Sequence, residues 1–389
     1  MRKIVLYGIG LEGEKFYYRW KDEYEIVFCI DKFPKKTFHG VPVYDICKKG
    51  IADKIREYFI VIAGRLPHRN DMEKKLKEIG LKEYEDYTFS ERIGRNPAIL
   101  YGNCHMDILE RYLNSNPLFA NKYFTKRFFI AEGAVPSEND LAHCDLLIGQ
   151  DIWSKGGYVS IDELKSKTRE SCRKIIIPNL YGTNLYFPQA EKDGVEILEN
   201  YESFLRHFKD DALGYRGGVE QKKAVKNIGF LDVNLSTAWN GLTVEAIKNK
   251  IKNERIYGEQ DIIDKFNYAI QKLKEREKKC DIEISDYILE HYQEKQLFYD
   301  PYHPIEEVVC EKGRRILKRL GIEIIEYNKI GRFLDGAEMF IYGCVKQALN
   351  LKFEQNYIRI GVNRNYTLGN KPLCLEEWIE DCLRWINEK

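Results

Sequence analysis

The sequence predicts an α/β protein made of two successive parallel-sheet units. Three observations carry that reading. Short apolar runs (Lys3–Tyr7, Ile26–Ile30, Phe59–Ala63, Ala98–Tyr101, Asp145–Gly149, Lys174–Pro178) alternate with segments whose apolar residues recur at helical spacing. A strand–turn–helix with glycine at the turn occurs twice, after Tyr7 and after Tyr101. Between them Ser90–Pro97 gathers Gly, Pro, Asn and three charged residues, which puts a boundary there and divides the chain into 1–95 and 96–389.

Composition limits the function classes. Hydrophobic residues make up 44% and charged residues 32%, enough apolar material to bury a core. The 62 basic and 61 acidic residues leave a net charge of +1, so no global field invites nucleic acid. No stretch approaches the ~18 uninterrupted apolar residues of a transmembrane helix. Arg2-Lys3 precedes a short strand-like run and not a signal peptide. Ten cysteines without a CxxC pair or zinc-like spacing fit a reducing cytoplasm and predict no metal site.

In the first unit, Lys3–Tyr7 leads into Gly8-Ile-Gly10-Leu-Glu-Gly13, a helical segment runs through Trp20, and the next strand, Ile26–Ile30, ends in Asp31. This is the GxGxxG order on a Rossmann-like frame. Gly8, Gly10 and Gly13 let backbone N–H groups approach a phosphate at a helix N-terminus, and Asp31 can accept from a ribose hydroxyl. A Rossmann-like unit that holds no nucleotide fits the same residues. The helical pattern Asp71–Ile79 is stopped by Gly80. With Phe38-His-Gly-Val-Pro-Val43, these residues resemble the small N-terminal domain of sugar-modifying enzymes of bacterial surface-polysaccharide pathways, PglD-type sugar acetyltransferases among them. The resemblance implies a nucleotide or nucleotide-sugar pocket.

The second unit begins with Ile99-Leu-Tyr-Gly-Asn-Cys-His105. The apolar run stops at Gly102-Asn103, presents Cys104, and passes into a helical pattern over Met106–Leu113. A thiol at such a turn is exposed at a sheet edge, and the helix N-terminus behind it favours the thiolate; a small apolar Cys filling a strand end is the other reading. Asp145–Gly149 runs into Gln150-Asp151, and Lys174–Pro178 into Asn-Leu-Tyr-Gly-Thr-Asn184, both ending where a doubly wound sheet puts its functional loops. Residues 212–240 read as loop, and about 240–296 as a helical insertion. Phe298-Tyr-Asp300-Pro-Tyr-His303-Pro304 then sets an Asp and a His three residues apart, close enough for the carboxylate to fix the imidazole tautomer. A helix over Glu306–Leu320 stops at Gly321. Further helices are expected around Glu338–Leu349 and Leu375–Ile386, with a candidate edge strand at Tyr357–Val362.

Gly102-Asn103-Cys104, then Gly149-Gln150-Asp151, then Asp300-Pro-Tyr-His303 follow the order of the SGNH hydrolase fold, a three-layer α/β/α sandwich. Cysteine replaces its serine, and Gln150 stands where its asparagine would be. With Ile175-Ile-Ile-Pro178-Asn, Arg276-Glu277, Asp281, Leu297-Phe298 and His303-Pro304, the second unit resembles the WcbI family of capsular-polysaccharide biosynthesis. That resemblance implies coenzyme A or acetyl-CoA as acyl donor and a sugar, nucleotide-sugar or glycan as acceptor.

The chemistry also follows from the residues. Cys104 would attack a thioester or ester carbonyl, with His303 as general base and Asp300 as its orienter. The Gly102–Asn103–Cys104 backbone and the Gln150 amide would stabilise the oxyanion. Asn179, Tyr181 and Asn184 are candidates for the substrate pocket. Direct transfer, with His303 activating the sugar hydroxyl and Cys104 only lining the site, stays open. Two rival functions remain: an esterase or deacylase using water, and a non-catalytic module binding polysaccharide precursors. His105 and His143 read as structural or surface histidines. Redox use of the first unit lacks a nearby Tyr-x-x-x-Lys. Nothing in the sequence speaks against a homo-oligomer.

Overall fold

The computed structural model describes residues 1–152, 159–180, 185–188, 239, 241–301, 303–325, 339–355, 374–377 and 379–380. Tyr181, Asn184, Tyr357–Val362 and the loop expected over 212–238 lie outside the described residues.

The first sheet has six strands: β1 (Arg2–Tyr7), β2 (Tyr24–Asp31), β3 (Thr37–Phe38), β4 (Val41–Asp45), β5 (Phe59–Ile62) and β6 (Tyr87–Phe89). Their order is β3-β4-β2-β1-β5-β6, all parallel except the β3–β4 hairpin. Helices α1 (Leu11–Trp20), α2 (Ile51–Ile55) and α3 (His68–Glu78) complete this part. The order reverses between β1 and β5, where the Gly8 loop meets Ala63.

The second sheet is β7 (Asn96–Gly102), β8 (Tyr123–Phe129), β9 (Leu146–Gln150) and β10 (Arg173–Ile177), parallel throughout and ordered β10-β9-β7-β8. Side chains alternate across it, as the pleat dictates. Leu100, Leu146, Ile148, Ile175 and Ile177 face one core, with α4 (His105–Ser115) and a later helix. Ile99, Tyr101, Leu147 and Ile176 face the other, with α6 (Glu138–His143) and α7 (Ile161–Lys167), while α5 (Pro117–Lys122) follows α4 at one end. This sheet is therefore the middle of three layers, and its strand order reverses between β7 and β9.

Strand β8 was not among the expected strands. Among the described residues it lies at the sheet edge and pairs only with β7, and Thr125-Lys126-Arg127 interrupts its apolar character. At the opposite edge Asp281 acts as a one-residue partner for β10. Its N–H donates to the Ile176 carbonyl, its Oδ2 accepts from the Ile176 N–H, both at 2.7 Å, and Arg319 holds Oδ1 at 2.6 Å.

The helical segment comprises α8 (Val244–Asn253), α9 (Glu259–Glu277) and α10 (Ser285–His291), packed with Leu180, Leu185, Tyr186, Phe187 and Met339–Tyr342 in a separate apolar core. Glu277 starts α10 by accepting the Ile284 and Ser285 N–H groups at 2.6 and 2.8 Å. Helix α11 (Glu306–Leu320) has the expected bounds and ends at Gly321, whose φ of +69° the missing Cβ permits. The helix expected around Glu338–Leu349 is shorter, α12 (Gly343–Ala348). Met339–Ile341 is instead extended, bracketed by the Gln355 side chain and bonded from Met339 N–H to the Tyr299 carbonyl at 2.8 Å.

The two sheets meet through a polar cluster. Lys126 donates to Glu83 at 2.8 Å and Asp140 at 2.7 Å, Arg92 also pairs with Glu83, and the Tyr84 ring stacks on His143. Among the described residues no helix is long and apolar enough to cross a membrane.

Candidate active site

The C-terminal ends of β7, β9 and β10 meet beside the strand-order reversal, where open α/β sheets place ligands. β7 delivers Gly102-Asn103-Cys104. A Cβ on Gly102 would strike the Gln150 carboxamide, so glycine is what lets that side chain pass beneath the turn. Cys104 is exposed and occupies the residue before α4.

The loop between α10 and α11 brings His303. Phe298 and Pro304 form an antiparallel bridge, and Tyr299 N–H donates to the His303 carbonyl at 2.8 Å, closing a tight loop. The Tyr299 hydroxyl ties it to Glu306 at 2.7 Å. Asp300 is fully buried and turns both oxygens on His303: Oδ1 accepts its backbone N–H at 2.9 Å, and Oδ2 meets Nδ1 at 2.7 Å. Nδ1 is committed to the carboxylate, and the Cys104 sulfur lies close enough to favour charge on the imidazole. Burial works against charge on His303, but the Asp300 carboxylate and the Cys104 sulfur outweigh it and hold the imidazole up at about 10. His303 is thus a cation at neutral pH, flanked by two groups that favour its charge.

The amides around the turn have a forced polarity. Asn103 Oδ1 accepts from the His105 N–H at 3.1 Å, so Nδ2 is its donor, given to Asn179 Oδ1 at 3.2 Å. Gln150 Oε1 accepts the Asn103 N–H at 2.7 Å, so Nε2 points away as a donor. This corrects one expectation: the Asn103 N–H is committed to Gln150 and is not an oxyanion donor. Two donors remain. Gln150 is fully buried, and its Nε2 has no hydrogen-bond partner among the described residues. The Cys104 N–H has no acceptor among them either. A buried amide donor with no partner among the described residues can take an acceptor oxygen.

Of the predicted second-unit residues, Gly102, Asn103, Cys104, Gln150, Asn179, Asp300 and His303 come together here. His105 is buried beside His303, their rings 6.4 Å apart. His143 is part of the junction between the sheets, bonded to the Asn139 carbonyl at 3.0 Å.

The first-sheet glycine loop is a separate place. A Cβ on Gly8, with φ +103°, would strike the Ala63 carbonyl, and one on Gly13 would strike Gly8, whereas Gly10 faces open space. Asp31 accepts from Ile9 N–H at 3.0 Å and Phe33 N–H at 2.9 Å, so the expected ribose acceptor laces its own loop. The first turn of α1 carries Glu12, paired with Lys15 and Arg65, and Glu14, which meets His39. Among the described residues no group of three metal-ligating side chains forms.

Comparison with known proteins follows the second sheet. The model of a family described as "Polysaccharide biosynthesis enzyme WcbI" matches residues 97–324, more than half of the chain. No curated protein matches the chain by sequence. Among solved structures the chain is similar to WcbI, described as a novel polysaccharide biosynthesis enzyme in its native form without a disulfide bond between coenzyme A and one of its cysteines. The two share 19% identity and a TM-score of 0.51, with 76% of this chain and 91% of that one covered. At that identity the likeness is one of fold. The family match covers the strand carrying Cys104, the loop carrying His303 and all of the sheet between: the chain belongs to the family of the polysaccharide biosynthesis enzyme WcbI.

Proposed function

We propose that the chain transfers an acyl group, acetyl in the simplest case, from acyl-coenzyme A to a sugar hydroxyl of a surface-polysaccharide precursor. Residues 96–389 would carry the chemistry and residues 1–95 form a separate domain. The observation that carries this reading is the line Asp300–His303–Cys104, ending beside the buried Gln150 donor. Coenzyme A is named for the structural neighbour and comes to this chain as part of the proposal.

The charge state of the pair orders the steps. Cys104 as thiolate attacks the thioester carbonyl, and the oxyanion takes hydrogen bonds from Cys104 N–H and Gln150 Nε2. The carbon–sulfur bond to coenzyme A breaks, and the leaving sulfur takes the His303 proton. Acylation removes the thiolate that helped hold that proton, so His303 is now neutral and can act as a base. It deprotonates the sugar hydroxyl, which attacks the acyl-cysteine and expels the Cys104 thiolate. Thiolate and imidazolium are both restored.

Calorimetric titration with coenzyme A is the direct test. Micromolar binding, worth about −8 kcal/mol, is expected for the wild type and for Cys104→Ala. Absence of binding in both, together with ester turnover, would replace the transferase by a hydrolase. Gln150→Met probes the oxyanion donor: kcat should fall ~10²–10³-fold. The same change leaves the Asn103 N–H without its acceptor, which should cost ~1–3 kcal/mol on denaturant unfolding.

A further inference from the structure

Two basic side chains converge on the exit of β10. Arg276, near the end of α9, donates Nη1 to the Asn179 carbonyl at 2.7 Å. Lys312, on α11, is fully buried, and its Nζ reaches the carbonyl of the preceding residue, Pro178, at 3.4 Å. That is its one hydrogen bond among the described residues.

Such a lysine is costly. Taking an ammonium group out of water carries a penalty of several kcal/mol, and one long hydrogen bond does not offset it. Burial brings the amine down to about 7; the charged groups acting on it are Arg276, which opposes its charge, and Glu277, which favours it. The buried neighbours along α11 include Val308, Val309, Ile316 and Leu317, so a Leu or Met would suit the position's packing. What a Leu or Met lacks is a donor for the Pro178 carbonyl. That carbonyl adjoins Asn179, whose Oδ1 holds Asn103, the residue before Cys104.

We propose that Arg276 and Lys312 are positioning residues: together they clamp the consecutive carbonyls of Asn179 and Pro178, and through the Asn179–Asn103 pair they hold the Cys104 turn against His303. The inference rests on reading Cys104 as the nucleophile, but its test needs no acyl donor.

The measurement is the rate at which iodoacetamide alkylates Cys104 in the full chain, followed on the Cys104 peptide by mass spectrometry, beside the Tm. Lys312→Met should fold with a Tm at or above that of the wild type at neutral pH, because a buried charge is gone. It should nevertheless alkylate Cys104 about tenfold more slowly, less than the ~100-fold that a 1 Å misplacement can cost. Arg276→Gln should slow it to a similar extent, and the double variant should be no slower than the slower single, since both act through one loop. A stable Lys312→Met protein with wild-type Cys104 reactivity overturns the proposal. Should Lys312→Met lose Tm or fail to fold, Arg276→Gln decides alone, and a wild-type rate there overturns it as well. Failure of the transferase reading looks different: Cys104 alkylation responds to both substitutions, while acetyl-CoA leaves no acetyl group on Cys104.

Discussion

Replacing Cys104 by alanine is expected to reduce acyl transfer on the order of 10⁶-fold, the scale on which loss of a covalent nucleophile falls, while leaving coenzyme A binding within a few-fold. The size follows from the proposed sequence of steps. His303 begins as a cation, because Asp300 and the Cys104 sulfur both favour its proton, so it cannot take a proton from the sugar hydroxyl at the outset. Only acylation of Cys104 makes it a base. Without the sulfur both the acyl-enzyme and the release of that base are lost. In direct transfer, with Cys104 merely lining the site, the loss would be about tenfold, the ordinary effect of ~1.4 kcal/mol. Mass spectrometry after mixing with acetyl-CoA supplies the second half of the test: the wild type should carry one acetyl group on the Cys104 peptide, and Cys104→Ala none. A small rate loss with no acetylated peptide in the wild type would rule out the covalent route.

Much of the frame was legible because it rests on local rules. Helix α11 combines an apolar stripe with a glycine that stops it, and both marks are in the sequence. The strand–turn–helix at Cys104 shows in the switch from a continuous apolar run to a 3.6-residue period at Gly102-Asn103. Strand β8 was hidden because an edge strand has a single neighbour and tolerates Lys126 and Arg127 in its middle. The extended segment before α12 was hidden for another reason. Met339–Ile341 is held by Gln355 and by Tyr299, a partner 40 residues upstream of Met339, and no local propensity reports such contacts.

The site divides along the same line. Asp300 and His303 are three residues apart, so their pairing is a local event that spacing can suggest. The directions of the amides are not local. Gln150 looked like an oxyanion donor, but which of its amide atoms is left over is decided by Oε1 accepting the Asn103 N–H from a neighbouring strand. The same bond removes Asn103 from the donors. The direction of Asp31 is likewise not local, since its carboxylate accepts from the Ile9 and Phe33 N–H groups. Lys312 gave no signal at all. In the sequence it stands in a row with Arg314, Arg315, Lys318 and Arg319 and looks like one more solvated cation on a basic helix face. Its burial comes from partners distant in sequence, the Pro178 carbonyl and the end of α9 at Arg276 and Glu277.

Asp300→Asn should cost about 10⁴-fold in kcat, with the fold retained. The reason lies in the two bonds this carboxylate makes. Oδ1 accepts the His303 N–H and Oδ2 meets Nδ1. An asparagine must keep its oxygen on the backbone N–H, which turns its NH₂ toward Nδ1. Nδ1 must then be an acceptor, and the ring proton moves to the other nitrogen. An imidazole in that tautomer cannot take a proton from the sugar hydroxyl, and it cannot stay a cation beside an amide donor. The pH dependence moves with a definite sign. In the wild type His303 holds its proton until about 10, above the ~6.5 of an unfolded histidine. The stability this contributes is therefore full below ~6.5 and is lost as pH rises through the folded value. In Asp300→Asn the folded value drops, so the alkaline loss of stability attributable to His303 should move to lower pH or vanish. Denaturant titrations of both proteins across the neutral to alkaline range measure it. An unshifted alkaline limb in a folded Asp300→Asn protein would show that some other group, and not the Asp300 carboxylate, holds the charge on His303.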